Sequence, residues 1–272
     1  MEYKMMLLKK FSTALLSCAA LFSIAPAANA SLIALYTYDT ASNLGLDSSG
    51  NGNNLSSKNS TPGATTGVYG GGINFSGTNA LYSLTGTLVG LPTGGSSYAI
   101  TSWINPTVAN NGGIVGWGNY NSTNQVDALR LNGNGLRNYW WSNDLDASAS
   151  NNLYTGTGNA GWHFVAATYD ATTKVNSIYI DGLLVGTRTA TGLNAAATNF
   201  AIGVTNYSEF FNGQMDNTAI FNTSLSLAQL NAISANNFSQ FGAAAVPEPG
   251  SVLLLALGAL AAYGVTRRKK SS

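Results

Sequence analysis

Cysteine is nearly absent from this chain. The only one, Cys18, lies in an apolar stretch close to the N-terminus. Residues 31–241 therefore hold none, which excludes disulfides, thiolate metal sites and cysteine nucleophiles there. Histidine is as scarce: His163 stands alone. One histidine and no thiolate cannot supply the nitrogen and sulfur ligands of a closed zinc site. A Ser-His-Asp centre would have to use that same histidine, and the nucleophile-elbow pattern G-x-S-x-G does not occur. Charge is thin as well, with Asp, Glu, Lys and Arg making up 8% of residues. Seven of the twelve basic residues sit in the two end segments. Between them Lys58, Arg130, Arg137, Lys174 and Arg188 face nine acids, a balance of −4. A mildly acidic body with scattered cations is a poor nucleic-acid surface, so nucleic acid is excluded as a partner. Solubility must rest on Asn, Ser, Thr and Gly.

Long apolar runs are also missing between residues 31 and 241. Short strand-like pieces take their place, separated by Gly, Asn, Ser and Thr turns, which is the pattern of a sandwich or barrel. Strands are predicted over 32–38, 73–75, 80–84, 98–104, 113–117, 128–131, 136–141, 162–169, 175–180, 183–187, 201–204 and 215–221. "LDSSGNGNN", "TPGATTGVYGGG" and "SNDLDASAS" read as loops. In "NSIYIDGLLVG", Asp181-Gly182 suits the positive φ angles of a two-residue hairpin turn. In "TSLSLAQLNAIS", Ser226 and Gln229 form a capping-box pattern, and Leu225 with Leu230 fit a hydrophobic staple. One short helix from about Leu227 to Ser234 follows. The 211 residues of this region suit a single all-β domain, since such sandwiches often reach about 200–250 residues.

The order "LDSSGNGNN", "GGINFSGTNALYSL", "YAITSWINP", "GGIVGWG", "GWHFVAATYD", "NSIYIDGLLVG", "FAIGVTN", "FFNGQMDNTAIFNTSLSLAQL" resembles a laminin-G-like domain of the concanavalin A-like superfamily. The resemblance implies an all-β, two-sheet antiparallel jelly-roll sandwich. It also implies frequent calcium binding, and frequent recognition of carbohydrate or protein. Calcium takes oxygen ligands from carboxylates, carbonyls and water. Related folds place a calcium-binding aspartate where Asp216 enters the last strand, with carbonyls from the early loops. Asp39 and Asp47 are the further candidates; for all three, the other reading is a turn-forming side chain bonded to its own backbone.

Because the superfamily includes glucanases, glycoside hydrolysis is the enzymatic alternative. It needs two carboxyl groups placed together, one with a raised pKa. Glu209 is the only glutamate of residues 31–241, and no acid lies near it at strand spacing. Asp144 and Asp146 are two apart but fall in an expected loop. The glucanase strand motif is missing, so a non-catalytic role is expected. For sugar binding, "LRNYWWSND" brings Tyr139, Trp140 and Trp141 beside Asn143. Alternation puts Trp140 on one sheet face and Tyr139 with Trp141 on the other. One set fills the core, and the other either packs too or offers a flat plate to a sugar ring. Trp103, Trp117 and Trp162 read as core residues.

The ends carry separate signals. Lys4, Lys9 and Lys10, an apolar stretch over 11–24, and Ala28-Asn29-Ala30 read as a secretory signal peptide cut after Ala30. The apolar run 252–265 is short for a bilayer crossing of about 20 residues. It is followed by Arg267, Arg268, Lys269 and Lys270, which stay cytoplasmic by the positive-inside rule. Pro247-Glu248-Pro249, this run and the basic tail together resemble the PEP-CTERM sorting signal of Gram-negative bacteria. That resemblance implies an exosortase as processing partner, transient residence in the inner membrane, and release to the cell surface or extracellular matrix. Many proteins with this signal belong to biofilm- or exopolysaccharide-producing bacteria. The expected organisation is a signal-peptide helix over 1–30, a β domain over 31–241 and a sorting segment over 242–272 with a transmembrane helix at about 251–266. The expected product is an exported binding or structural protein, with polysaccharide or a cell-surface component as partner. A matrix or adhesion protein without a defined glycan is the blander alternative.

Overall fold

Brief apolar segments cannot bury both faces or satisfy their own N–H and C=O groups alone, so they pair. The computed structural model describes residues 30–147, 153 and 161–241. The signal-peptide and transmembrane helices expected from the sequence lie outside these residues. Among the described residues no helix is long and apolar enough to cross a membrane.

Seventeen strands and one helix follow in chain order: β1 (Leu32–Tyr36), β2 (Ser56–Lys58), β3 (Gly63–Thr66), β4 (Gly71–Ser76), β5 (Ala80–Tyr82), β6 (Tyr98–Pro106), β7 (Gly113–Gly118), β8 (Val126–Asn132), β9 (Gly135–Tyr139), β10 (Leu145–Ala147), β11 (His163–Asp170), β12 (Val175–Ile180), β13 (Leu183–Thr189), β14 (Ala201–Ile202), β15 (Val204–Thr205), β16 (Glu209–Phe210), β17 (Asn212–Phe221) and α1 (Leu227–Ser234). Eight strands form one antiparallel sheet in the order β13-β12-β11-β6-β17-β4-β3, with β1 also pairing β17. Seven form the other, β10-β9-β8-β7-β14-β5-β2, and β15 with β16 makes a small hairpin. The expected two-sheet sandwich is therefore the fold.

Alternation sorts each strand between two environments. On β6, Tyr98, Ile100 and Ile104 enter the space between the sheets, while Ala99 and Trp103 point outward. The outward set is buried as well, because α1 covers it. Leu230 and Ile233 of the helix meet Trp103, Phe164, Phe221 and Phe241 there. The helix forms as predicted: Ser226 caps it, the capping box with Gln229 is complete, and Leu225 and Leu230 are both buried. The carbonyl of its last residue finds two donors, since Tyr69 Oη and Trp103 Nε1 both donate to Ser234 O, at 2.8 and 3.3 Å.

Strand β17 holds the fold's main irregularity. Asp216 faces Trp103 across the ladder and Ala219 faces Thr101, so β17 carries an extra residue at Asn217–Thr218, with Asn217 at φ 45°. The bulge resets the alternation. Met215 and Ile220 are five apart, and both nonetheless point inward.

The structure adds to and corrects several sequence expectations. β3 lies within "TPGATTGVYGGG" and β10 within "SNDLDASAS", stretches that read as loops. Both are sheet-edge strands of only three or four residues, too short to carry a periodic signal. The predicted strand 201–204 is broken at Gly203, whose φ is 82° and whose N–H donates to Ile114 O. Strand β9 stops at Tyr139 because Trp141 and Ser142 take left-handed backbone at φ 63° and 67°. Trp103 and Trp117 are buried, whereas Trp162 precedes β11 and is only partly covered. Asp181 and Gly182 are left-handed, as their turn requires.

Candidate functional site

Two features of the sandwich gather chemistry: an aspartate pair gripping one glycine-rich turn, and the aromatic outer face of the seven-stranded sheet.

The turn runs from Gly67 to Gly71. Asp216, at the β17 bulge, accepts the Tyr69 N–H on Oδ2 at 2.8 Å. Asp39, just beyond β1, accepts the Gly71 N–H on Oδ1 at 2.7 Å. Close approach demands glycine here. A Cβ on Gly67 would stand 2.6 Å from Asp216 Oδ2, and one on Gly70 would collide with Asp39 Oδ1. Asp216 is fully buried, and its Oδ1 has no hydrogen-bond partner among the described residues. Burial pushes its pKa up to about 6 against the pull of backbone N–H groups, and Asp39 adds repulsion. The oxygens gathered at this turn are those of the two carboxylates, the bare Asp216 Oδ1 among them, and the Tyr38 carbonyl against Gly71; all are of the hard type that calcium takes. No group of three or more acidic or histidine side chains gathers among the described residues. Further ligands would be carbonyls and water.

Asp47 sits apart from this pair. Its Oδ1 accepts the Leu35 and Ser49 N–H groups at 3.1 and 2.9 Å, and Oδ2 accepts that of Asn53 at 2.9 Å. Three backbone donors occupy the carboxylate, which ties the "LDSSGNGNN" loop to β1. The geometry is that of the turn-forming reading.

The three aromatic residues of "LRNYWWSND" divide as alternation requires. Trp140 is withdrawn from any ligand: it is fully buried between the sheets, where Nε1 donates to Tyr98 Oη at 2.9 Å. Tyr98 in turn donates to Asn138 at 2.7 Å. Tyr139 and Trp141 lie on the outer face, ring centroids 5.6 Å apart. Asn143 stands beside them, its amide donating to Thr191 O at 3.3 Å and its carbonyl accepting from Arg188. Two tyrosines that the sequence did not single out complete the surface. Tyr120 meets Tyr139 at 6.3 Å, Trp141 at 6.4 Å and Tyr207 at 5.4 Å. Gly116 makes room for this, since a Cβ there would fall 2.5 Å from Tyr120 Oη. Arg130 lies 4.6 Å over the Tyr139 ring and 3.3 Å from Glu209. Burial raises the Tyr139 phenol to about 12, so it is neutral and able to donate a hydrogen bond. Tyr207 is the most exposed of the group at 48%. Its sequence signal was a lone aromatic in the polar loop "TNYSE", too slight to place it on this face.

Beside these rings lies a cleft of about 100 Å³, lined among others by Lys58, Tyr82, Tyr120, Asn199, Thr205 and Tyr207.

The acids on this face are committed elsewhere. Arg137 holds Asp146 in a two-point pair at 2.6 and 2.8 Å and lies 3.2 Å from Asp144. The hydrogen bond from Arg137 lowers the Asp146 pKa, the reverse of what a general acid needs. Glu209 is paired with Arg130. Burial holds the Asp127 carboxyl well above its usual value, but it points into the core and is 1% exposed. His163 is buried at the start of β11, with Nδ1 2.7 Å from Asp181 Oδ2.

These two sheets and their covering helix define a class, and family comparison agrees with it. The Laminin G 3 model, of the concanavalin A-like lectin/glucanases superfamily, matches residues 75–231. The chain belongs to that superfamily. A second model, the PEP-CTERM protein-sorting motif, matches residues 245–269, over the Pro247-Glu248-Pro249 and Arg267–Lys270 signals. The protein is thus exported through the membrane and delivered by exosortase processing to the surface or the outside of the cell. No curated protein matches the sequence. Among solved structures, domain 4 of an extracellular arabinanase from Geobacillus stearothermophilus, in complex with arabinotriose, is similar at TM-score 0.57 and 20% identity. That match covers 75% of this chain and 98% of the other. The binding domain of a paraclostridial mosquitocidal protein is similar at TM-score 0.53 and 16% identity, over 75% of this chain and 51% of the other. The botulinum neurotoxin serotype G binding domain gives 0.51 and 14%, over 75% and 51%. At these identities the likeness concerns the fold.

Proposed function

We propose that this exported domain binds glycan on the aromatic outer face of its seven-stranded sheet and catalyses no reaction there. The observation that carries the reading is the pair of accessible rings, Tyr207 at 48% exposure and the partly covered Trp141, each packed against the buried Tyr120 on a sheet face that no helix of the described residues covers. Such rings offer flat apolar area with polar ends. Hydrolysis requires two acids free to face one bond, and on this face Asp144, Asp146 and Glu209 are each paired with arginine. A related domain solved with arabinotriose, and others described as binding domains, support the same reading. The partner would be a polysaccharide of the cell surface or its matrix, such as a biofilm polymer.

Calcium would be structural in this proposal. Asp216 and Asp39 would hold it, and its charge would relieve the repulsion between them and pin the Gly67–Gly71 turn. Calorimetry on the chelated protein tests this: no heat with calcium and no rise in Tm would remove the cation.

Glycan-array binding tests the surface. Tyr207→Ala and Trp141→Ala should lose the signal while Tm is kept. An array blank with the intact protein would leave a matrix or adhesion role without a defined glycan. Turnover of any polysaccharide would overturn the non-catalytic reading.

A further inference from the structure

The cleft beside Tyr207 has a feature that a neutral sugar does not call for. Lys58, at the end of edge strand β2, lines it and is only partly exposed. No hydrogen bond or ion pair engages its ammonium among the described residues, whereas Arg130 and Arg137 on the same face are both matched with acids. Glu209, the carboxylate of the β15–β16 hairpin, is already held by Arg130 at 3.3 Å and by Thr205 Oγ1 at 2.8 Å. The cleft thus contains an uncompensated positive charge among phenol rings.

Its other wall is held at a cost. Tyr207 has φ 61° and follows Asn206 at φ 45° in the β15–β16 turn. A bulky residue in left-handed backbone is an outlier that surrounding structure must enforce. Here the Asn199 amide donates to Tyr207 Oη at 3.1 Å, and the ring rests edge-on against Tyr120. The strain keeps one half-exposed ring at the mouth of the cleft. Tyr82, Asn199 and Thr205 complete a wall of apolar faces and hydroxyl or amide groups.

We infer that this cleft is a subsite for a carboxylated sugar, a hexuronate unit of an acidic polysaccharide, with Lys58 meeting the carboxylate and Tyr207 stacking on the pyranose ring. This rests on the glycan-binding reading above and adds the class of glycan. A cleft of about 100 Å³ suits one ring rather than a long segment. A single ammonium suits a single carboxylate. A charge-assisted bond in a partly dry cleft gives the acid an advantage that its uncharged ester lacks.

The test uses the full-length protein in detergent, titrated by calorimetry with oligogalacturonate and oligoglucuronate and with the methyl esters of both. The acids should bind at least about tenfold more tightly than the esters. Lys58→Met keeps the aliphatic stem; it should bring the acids down to the level of the esters and leave Tm unchanged. Raising the salt should erode the preference, because the charge is partly exposed. Equal affinity of acid and ester, or a preference that survives Lys58→Met, overturns the inference. So does failure of both uronates when the glycan array shows binding to neutral sugars that Tyr207→Ala abolishes; the glycan-binding reading then stands without its acidic subsite. A blank array together with blank titrations removes both.

Discussion

The two outer faces of the sandwich are both aromatic, and they are finished in different ways. Outside the eight-stranded sheet stand Trp103, Phe164, Phe221 and Phe241, sealed by Leu230 and Ile233 of α1. Outside the seven-stranded sheet stand Tyr82, Tyr120, Tyr139, Trp141 and Tyr207, with paired arginines at their edges and no helix of the described residues above them. Phenylalanine dominates where a cover exists. Tyrosine takes over on the other face, where Tyr207 is half exposed and Tyr82 partly so, while Tyr120 and Tyr139 are buried among the neighbouring rings. The first face stabilises the molecule; the second is left to meet something else. Substitutions on the two faces should therefore differ in what they damage.

The largest effect should come from the covered face. Trp103→Ala should cost about 3–5 kcal/mol by loss of buried area and the cavity it leaves. Thermal unfolding should show a Tm lower by roughly 10 °C. A small change would mean that α1 moves in to refill the space.

The next effect concerns Asp216, at the border of the covered face. Its folded pKa is raised from 3.8 to about 6. Within that window the folded state keeps a proton that the unfolded chain has released, so stability falls as pH rises through it and stays lower above. Denaturant unfolding across the window should show the decline, and Asp216→Asn should flatten it. Calcium should restore the stability lost above the window if the proposed site exists.

Smaller still is the cap. Ser226→Ala removes the side chain that accepts from Gln229 N and should cost about 1 kcal/mol. Smallest in stability should be Tyr207→Ala on the bare face, within about 0.5 kcal/mol. Alanine keeps the Cβ and with it the left-handed backbone strain, so the loss is that of one half-exposed ring contact. The same substitution should abolish glycan binding, a separation that Trp103→Ala cannot produce.

Much of this was legible in the sequence, for identifiable reasons. Asp181-Gly182 and the Ser226–Gln229 box are local chemistry, decided within a few residues, and both elements formed as expected. The strict period of two separated Trp140 from Tyr139 and Trp141, but it could not say which side was the core. That depends on Tyr98, forty-two residues away, which supplies the acceptor for Trp140. The cleft was beyond reach because Lys58, Tyr120 and Tyr207 meet only once β2, β5, β14 and β7 lie side by side. The edge strands β3 and β10 were missed because three or four residues are too few to show a period. Asp216 was singled out from its place at the start of the last strand, whereas its bare oxygen follows from a bulge that no pattern announces.

One consequence follows from where the chain enters and leaves the sandwich. Ala30 and Leu32 lie in the same apolar layer as Phe241, whose ring meets Phe221 at 5.0 Å. The match to the sorting motif begins at residue 245, past that anchoring contact. Trimming the tail would therefore take away none of the described contacts. The last described residue, Phe241, lies in the layer away from the tyrosines, so the sorting segment joins the domain opposite the face that carries the cleft.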